Sequence, residues 1–340
     1  MTAALTFALA ACSGAPTVPV PRTVTPTVTP DKSAPPTPQV APTWPLTGVA
    51  GEPVQRPALA VKIENTAQAR PQSGLEQADV VWETIVEFQV SRFVAVFHSQ
   101  EPQEVGPVRS VRPMDPLIIA PLHGLLAYSG GQQGILDLVA ASGVQLFSHD
   151  AGADGLYRVS RRAAPHNVYG SPATFWADAD ADHQASPPQQ FAFAREAERA
   201  TAVRTGTAAT TLSFRLSSAS SPSWAWDASS GTWLRSEGST PAMAASGARL
   251  SAVNVVSVTA PHPDTTFHAQ GGNRVPTYEL VGSGDAVIAT GGKTVQVRWQ
   301  KDAEDAPLQL FTADGSPATL APGNTWVELV PAGSGSLTVG

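Results

Sequence analysis

Residues 78–97 read ADVVWETIVEFQVSRFVAVF, and this stretch decides the architecture of the first half of the chain. Apolar and polar side chains alternate along part of its beginning, and a second apolar run follows a short polar break. Two such runs are typical of an antiparallel hairpin. The pattern therefore predicts a strand over 78–88, with Glu83 and Glu87 on one face, and a partner strand over 91–97.

The residues around this hairpin predict a mixed α/β domain over 46–190. A short buried strand is expected over 58–63, where the chain reads ALAVKI. Ser171 and Pro172 are typical of a helix start, with Ser as N-cap and Pro at the first helical position. The remaining elements expected in this domain are helices over 117–127, 134–142 and 171–181 and short strands over 156–159 and 167–169.

Beyond about Thr205 the sequence favours β structure almost throughout. Short apolar runs alternate with Gly, Asp, Asn and Pro turn residues, as in a small β-rich domain. The expected strands are 211–216, 224–227, 232–235, 252–259, 275–281, 285–289, 295–300, 309–312 and 326–330. The fold class expected is α+β: a mixed α/β N-terminal domain over 46–190, followed by a β-rich C-terminal subdomain over 205–332.

The first twelve residues, MTAALTFALAAC, resemble a secretory signal that ends in a bacterial lipobox. An apolar run closes with the small residues Ala10 and Ala11 directly before Cys12, which is the only cysteine of the chain. The pattern predicts a lipoprotein signal peptide over 1–12, with Cys12 lipidated and anchored in the membrane. It departs from a full signal sequence because no Lys or Arg precedes the apolar run.

Residues 13–45 contain ten prolines in 33 positions, mixed with Thr, Val and Ser. This composition has neither a helical nor a strand period, and it predicts a disordered, semi-rigid tether with polyproline II character. At about 3.1 Å per residue, such a tether would reach roughly 100 Å from the membrane. That length suits a domain held away from a membrane within a cell wall.

Composition argues against several classes of function. The formal net charge is -7, which argues against nucleic acid as a partner. A single Cys offers no thiolate metal site, and the seven His residues show no metal-binding spacing. Gly130-Gly131 is not followed by the Lys of a phosphate loop, and Ser129 lacks the context of a serine hydrolase. We therefore expect neither a metal nor a cofactor.

Charge is concentrated in one part of the chain. Charged residues make up 14% of the whole sequence, yet residues 60–115 contain 13 of them in 56 positions. Many of these lie inside apolar runs, where a bare charge is costly to bury. Such charges need internal partners or a ligand, so we expect function to reside here.

Three basic segments, 65–74, 106–115 and 157–167, carry most of the candidate side chains, and the hairpin supplies the rest. Arginine suits bidentate recognition of carboxylate or phosphate. The candidate ligand-binding residues are Arg70, Glu83, Glu87, Arg92, Arg109, Arg112, Asp115, Arg161, Arg162, His166 and Asn167.

Two interpretations of these charges stay open. In one, Arg–carboxylate pairs order irregular loops from within. In the other, the arginines of the second and third segments line, together with His166, a site for an anionic ligand. His166 itself could act as an acid or base, or simply cap the turn after Pro165. A glycosidase built on Glu83 and Glu87 is disfavoured, because four residues along a strand place them about 13 Å apart.

At these residues the chain resembles the YerB-like bacterial lipoproteins, a family classed as domain of unknown function 3048. Family members usually carry a Gly pair after the glutamate that matches Glu87. This chain has Phe88 and Gln89 there, so a remodelled hairpin turn is expected. The matching segments are RPALAVKIEN (56–65), ARPQSGL (69–75), ADVVWE (78–83), GPVRSVRP (106–113), PHN (165–167), NVVSV (254–258), GSGDA (282–286) and GNTWV (323–327).

The resemblance covers about residues 45–332 and implies a two-domain extracytoplasmic lipoprotein without an established reaction. Our leading hypothesis is a protein lipid-anchored to the cell membrane on its extracytoplasmic face, which binds an anionic or polar envelope ligand through its Arg-rich loops. Its partner would be a cell-wall polymer or an envelope protein. One alternative is an enzyme acting on a cell-wall or phosphate-bearing substrate, with His166, Asp115 or Glu83 as acid or base. Another is a structural protein–protein interaction module.

Overall fold

The computed structural model describes residues 1–2, 14, 41–269 and 271–340. The predicted signal peptide lies outside these residues apart from its first two positions, and Cys12 and most of the predicted tether also lie outside them. The chain divides into residues 1–40 and 41–340, and every element below belongs to the second unit. Within the described residues, no helix combines the length and apolar character needed to cross a membrane.

The first half of the ordered region alternates strands with short helices. Its strands are β1 (Leu59–Glu64), β2 (Val80–Ile85), β3 (Ser91–Phe97), β4 (Leu125–Tyr128), β5 (Gln145–Ser148), β6 (Leu156–Arg158) and β7 (Val168–Gly170). Its helices are α1 (Asp115–Ile119), α2 (Gln133–Ala140) and α3 (Pro172–Ala177). Single 3-10 turns cover Leu75–Gln77, Glu87–Gln89, Ala120–Leu122 and Ala181–His183.

The second half is almost entirely β, apart from the 3-10 turn Ala197–Arg199 and the helix α4 (Thr201–Thr205). Its strands are β8 (Thr207–Ala208), β9 (Thr211–Arg215), β10 (Pro222–Asp227), β11 (Thr232–Glu237), β12 (Thr240–Pro241), β13 (Ser251–Ala252), β14 (Asn254–Ala260), β15 (Asp264–His268), β16 (Arg274–Pro276), β17 (Gly282–Thr290), β18 (Lys293–Lys301), β19 (Gln309–Phe311), β20 (Thr325–Pro331) and β21 (Ser336–Val339).

One large mixed sheet runs through both halves. Ten strands follow the order β19-β18-β17-β14-β20-β2-β3-β1-β4-β5, and β8 joins as the eleventh by pairing with β18. β1, β4 and β5 are parallel, and β2 points the same way because both β1 and β2 are antiparallel to β3. The two sequence halves meet where β20 pairs in parallel with β2. The carboxyl ends of β1, β2, β4 and β5 therefore lie at one edge of the sheet.

A second sheet, with the order β12-β11-β10-β9-β21 and β13 paired to β11, packs against the middle of the large one. Trp224 of this sheet meets Trp326 of β20 edge to face, with ring centroids 5.2 Å apart. β1, β2, β3 and β20 are buried along their whole length. They are therefore covered on both faces, which is why they read as nearly continuous apolar runs.

Strand alternation sends the charges of these central strands to opposite faces. Glu64 of β1 pairs directly with Arg92 of β3, which pairs with Thr84 of β2, so these side chains share one face. Glu83 pairs with Phe93 on one side and with Glu328 of β20 on the other, and it points to the opposite face. The sheet thus separates two polar clusters.

The α+β fold class predicted from the sequence is confirmed, and so are the β2–β3 hairpin, helix α2 and the Ser171 cap, whose hydroxyl accepts from the Thr174 amide. The helix predicted over 117–127 is wrong beyond Leu122, because Leu125–Tyr128 pairs with β1 as strand β4. A short apolar run does not by itself distinguish helix from strand. The domain limits 46–190 and 205–332 stay predictions.

Two further expectations need correction. Strand β2 ends at Ile85, so Glu87 lies in the turn after it and does not share a strand face with Glu83. The strand expected over 275–281 is confined to Arg274–Pro276, and Tyr278 instead buries its ring and donates its hydroxyl to the Leu329 carbonyl. The second strand ends at Pro276, which cannot donate to a ladder, whereas the end of β2 is decided by tertiary packing.

Candidate functional site

The second basic segment fills a crevice at the carboxyl edge of the large sheet. β1 and β4 pair only as far as Val61 and Ala127. Beyond that point Arg109 takes the space between them, donating its amide to the Lys62 carbonyl (2.8 Å) and accepting from the Ser129 amide (3.0 Å). Ligands of open α/β sheets commonly bind outside the carboxyl ends of strands. Here the chain places arginines at that location.

Around this crevice lies a group of charged side chains that we call the basic cluster. It gathers six of the candidate residues and adds two from β1. Its members are Lys62, Glu64, Glu87, Arg92, Arg109, Arg112, Asp115 and His166.

The innermost pair of the basic cluster is Lys62 and Asp115, both fully buried. Lys62 Nζ lies 2.7 Å from Asp115 Oδ1 and 3.3 Å from the Thr84 hydroxyl. The other carboxylate oxygen, Oδ2, accepts the Arg112 amide at 2.7 Å. Because Asp115 starts helix α1, it fixes the end of the Arg-rich segment against the sheet. Its role is internal.

Glu87 holds two arginines at once. Arg112 binds it in a fork, with Nε 2.5 Å from Oε2 and Nη2 in close contact with Oε1. Arg92 reaches the same Oε1 at 3.4 Å and donates to the Ser110 carbonyl at 3.0 Å. All three side chains are at least nine-tenths buried. These contacts match the interpretation in which Arg–carboxylate pairs order the loops from within, which we call internal pairing.

Glu64 forms the outer part of the basic cluster. Its carboxylate is buried, and His166 Nδ1 lies 2.9 and 3.0 Å from its two oxygens. Arg109 Nε lies 3.3 Å from Oε2, and Thr66 donates its hydroxyl to Oε1 at 2.7 Å. Arg109 and His166 each keep 24% of their side-chain surface exposed. The cluster therefore opens to solvent at these two residues.

Charge is not balanced within the basic cluster. Four cations, Lys62, Arg92, Arg109 and Arg112, face three carboxylates, Glu64, Glu87 and Asp115.

The pKa values of the three inner cations are lowered. Burial lowers the pKa of Lys62 to about 8, although Asp115 counteracts it. Burial lowers the pKa of Arg92 to about 10, with nearby Arg109 adding to the effect. Burial also lowers the pKa of Arg112 to about 10. An added negative charge would stabilise all of these cations in their charged form.

On the opposite face of the sheet lies a second group, the junction cluster, formed by Glu83, Arg235, Glu237, Glu328, Asn65 and Arg70. Arg235 of β11 is fully buried and donates Nη2 to Glu83 Oε2 at 2.7 Å, with Glu237 Oε1 at 3.0 Å. Glu328 accepts from the Trp224 indole at 2.9 Å. These contacts join the two halves of the chain through charge.

The junction cluster holds more carboxyl groups than cations at its centre. Burial, and then the neighbouring Glu83, raise the pKa of Glu328 well above its ordinary value. Burial alone would lower the pKa of Arg235, but the carboxylates of Glu237, Glu83 and Glu328 raise it. Glu328 is therefore the carboxyl group of this cluster whose charged form is disfavoured.

The third basic segment forms the loop between β6 and β7. Arg162 donates to the Gln68 and Pro71 carbonyls at 2.7 Å each. Arg161 pairs with Glu104 and stacks on Tyr169 at 4.5 Å. Asn167 accepts from Arg158 at 2.6 Å across the base of the loop. These contacts hold the loop in the position from which His166 reaches Glu64.

The remodelling of the hairpin turn stays a prediction, and the backbone of this turn is unusual for its side chains. Phe88 and Gln89 both have φ of +61°, a left-handed backbone that favours glycine. Phe88 is 58% exposed, so its side chain gains little burial in return. The strained turn directly follows Glu87 and sits beside the arginines that bind it.

A pocket of about 250 Å³ lies between residues 65–72 and 237–250. Asn65, Arg70 and Glu237 of the junction cluster line it, together with apolar side chains. Arg109 and His166 do not line this pocket; both are partly exposed, and we call the surface that they share the groove.

Sequence reasoning missed Lys62, Arg235, Glu237 and Glu328 as members of these clusters. Lys62 and Glu328 sit in the middle of apolar strands, LAVKIE and TWVELVP. A lone charge at such a position is itself a signal for a buried partner. Which partner it meets depends on strand pairing, which the local pattern does not give.

Comparison with known proteins yields two family matches. Residues 46–185 match the protein of unknown function (DUF3048) N-terminal domain, and residues 212–327 match the DUF3048 C-terminal domain. YerB of Bacillus subtilis (strain 168) is 37% identical over 131 residues. That match covers 37% of this chain and 39% of YerB, so it spans well under two thirds of that relative.

The fold also matches a solved structure. The crystal structure of the YerB protein from Bacillus subtilis superposes with a TM-score of 0.71 at 24% sequence identity. The superposition covers 87% of this chain and 99% of the crystallised one. It supports the fold described above.

Proposed function

Because the chain belongs to the DUF3048 family, as its sequence motifs predicted, we propose that it is a cell-envelope lipoprotein whose basic cluster binds an anionic group at Arg109 and His166. The name of its relative YerB contains the word lipoprotein. The residues before Cys12 fit the same description, with an apolar run that ends in small side chains. Both observations support attachment to the cell membrane on its extracytoplasmic face.

The observation that carries the ligand proposal is the uncompensated cation of the basic cluster. Glu87 and Asp115 engage Arg112, Arg92 and Lys62 in the interior. Among the described residues, Glu64 is the only carboxylate that pairs with Arg109 and His166, and both of these side chains are partly exposed. An anion in the groove would supply the missing negative charge, and partial burial would strengthen the interaction over that of an exposed pair.

Hydrogen-bonding capacity points the same way. Arg109 Nε is buried 3.3 Å from Glu64 Oε2 and has no hydrogen-bond partner among the described residues, so a ligand would bind the Nη nitrogens. Its Nη1 makes only a long contact, 3.5 Å, with the Pro165 carbonyl. Because His166 turns Nδ1 toward Glu64, its Nε2 is left for a ligand. A guanidinium fork next to an imidazole suits a phosphate or carboxylate group.

Isothermal titration of the full chain with inorganic phosphate at low salt tests the proposal. We expect binding that Arg109→Gln weakens by at least about tenfold, since the variant stays polar but loses the charge and the guanidinium fork. Arg298→Gln is the matched control, because Arg298 is an exposed arginine paired with exposed Asp285 on the far part of the sheet. Equal phosphate affinity of wild type and Arg109→Gln would contradict the proposal.

A second function is favoured by the Glu64–His166 pair. A buried carboxylate that holds one ring nitrogen of a histidine orients the other as a general base, as in hydrolases. In this alternative His166 would activate water against a phosphate ester whose charge Arg109 stabilises. Turnover of a chromogenic phosphate ester that His166→Gln abolishes, with phosphate binding retained, would favour the enzyme. Absence of turnover by the wild type would exclude this ester as its substrate and leave simple binding.

A further inference from the structure

The pocket of about 250 Å³ beside the junction cluster, which we call the junction pocket, has walls from both halves of the chain. Pro71 and Phe93 come from the first half, and Pro241, Met243 and Leu250 come from the second. Met243 is 39% exposed and lies at the rim, while Phe93 and Leu250 are buried. Apolar walls with a flexible Met at the opening are typical of a small-molecule site.

The polar atoms of the junction pocket are already engaged with one another. Arg70 Nη2 lies 3.5 Å from Glu237 Oε2, and Arg70 Nε donates to Asn65 Oδ1 at 3.1 Å. Asn65 Nδ2 donates to Glu237 Oε1 at 3.0 Å. The lining cation and the lining carboxylate therefore neutralise each other. The pocket suits an uncharged, apolar group rather than an ion.

The junction pocket and the groove at Arg109 share one wall. Glu64 contacts Arg109 and His166, and the next residue, Asn65, lines the pocket. Gln72 ties the wall together by donating to the Glu64 carbonyl and to Asn65 Oδ1, at 3.0 Å each. On the outside, Arg162 of the loop that carries His166 donates to the Pro71 carbonyl of the same wall. The two sites thus lie on opposite faces of the sheet, on either side of the end of β1, so a ligand that occupies both passes over this end.

We propose that the ligand of this protein is an anionic amphiphile, with its charged group at Arg109 and His166 and its apolar body in the junction pocket. The inference rests on the proposed function and adds the second half of the ligand. The groove carries the excess positive charge, whereas the adjacent pocket is apolar and neutral. A phospholipid headgroup region and a soluble phosphate ester share this chemistry.

Calorimetry of the full chain with inorganic phosphate and with hexyl phosphate tests the inference. We expect hexyl phosphate to bind about tenfold or more tightly than phosphate, because a few methylenes leave water. Thr240 is exposed, lines the pocket and lies on the two-residue edge strand β12. Thr240→Trp should fill the pocket and reduce hexyl phosphate to the affinity of phosphate. Thr240→Val should leave both affinities unchanged.

The outcomes separate the inference from the proposed function. If wild type binds both probes equally, or if Thr240→Trp leaves hexyl phosphate binding intact, the amphiphile is overturned and the phosphate site stands. If neither probe depends on Arg109, the proposed function fails. Met243→Trp, at the exposed rim, serves as a second filling variant if Thr240→Trp does not fold.

Vesicles of phosphatidylglycerol distinguish the two sources of the ligand. Binding by wild type that is lost in Thr240→Trp supports the inference with a lipid as the ligand. Binding of hexyl phosphate without binding of vesicles supports it with a soluble phosphate ester. Vesicle binding that the pocket-filling variants leave unchanged argues against a role of the pocket.

Discussion

Glu83 of β2 and Glu328 of β20 stand side by side in register, and both carboxyl groups are fully buried next to a single arginine, Arg235. Two such groups cannot both ionise at low cost in the protein interior. Burial and Glu83 raise the pKa of Glu328 above its ordinary 4.5. The connection between the two halves of the chain is therefore sensitive to protonation.

The first prediction concerns pH. Between about pH 4.5 and the raised pKa, folded Glu328 keeps a proton that the unfolded chain releases, so stability falls as pH rises. Glu328→Gln mimics the protonated form and should remove this dependence, which makes the variant increasingly the more stable protein toward alkaline pH. Urea unfolding over a pH series measures the difference. If the free energy of unfolding changes with pH equally in wild type and in Glu328→Gln, the raised pKa of Glu328 is refuted. Asp285→Asn is the control, because the Asp285 carboxylate is 80% exposed.

The second prediction concerns Arg235. Replacing it with Met leaves Glu83 buried without its cation, at a cost of about 3–5 kcal/mol in the free energy of unfolding. Adding Glu83→Gln to Arg235→Met should restore more than about 1 kcal/mol, because the uncompensated charge is then gone. A double-mutant cycle by urea denaturation gives the coupling. Strict additivity would mean that the pair is not coupled.

The third prediction separates two arginines that lie three positions apart. Arg112 is buried in a fork on Glu87, so Arg112→Gln should cost about 3 kcal/mol of stability. Arg109 is partly exposed and contacts Glu64 less directly, so Arg109→Gln should cost less than about 1 kcal/mol. The same unfolding experiment compares them. A large loss for Arg109→Gln would assign it a structural role instead of a ligand role.

Sequence reasoning found the hairpin, the Arg-rich segments and the β-rich second half, because each has a local signal in periodicity or turn residues. It could not assign partners. Glu83 and Glu87 are four positions apart and look alike in sequence, yet one meets Arg235 and the other meets Arg112. The end of β2 at Ile85 sends them to different faces of the sheet. That boundary is fixed by long-range pairing with β3 and β20.

Of the two interpretations left open for the arginines, internal pairing describes Arg92 and Arg112, and the ligand interpretation stays a proposal for Arg109. Arg92 and Arg112 form ion pairs with Glu87 in the interior, as internal pairing predicts. Arg109 is partly exposed on the same cluster, and its Nη1 makes only a long contact with the Pro165 carbonyl. The burial of each side chain distinguishes the two interpretations. That burial depends on how segment 106–112 enters the crevice between β1 and β4.

The fourth prediction concerns the turn after Glu87. Phe88→Gly should raise the free energy of unfolding by about 0.5–1 kcal/mol, since relief of left-handed strain exceeds the entropy cost of glycine. Phe88→Ala keeps the strain and should give no gain, which makes it the matched control. Thermal and urea unfolding of the three proteins measure the effect. A gain of equal size in Phe88→Ala would point to the side chain rather than the backbone.

The central claim is that an anion binds between Arg109 and His166, and locating a bound anion tests it most directly. Crystals soaked in tungstate, a phosphate analogue visible by its anomalous scattering, should show a peak within about 4 Å of the Arg109 guanidinium and of His166 Nε2. The peak should vanish in Arg109→Gln crystals and persist in Arg298→Gln crystals. A map without a peak in this groove, or a peak that survives Arg109→Gln, would contradict the account.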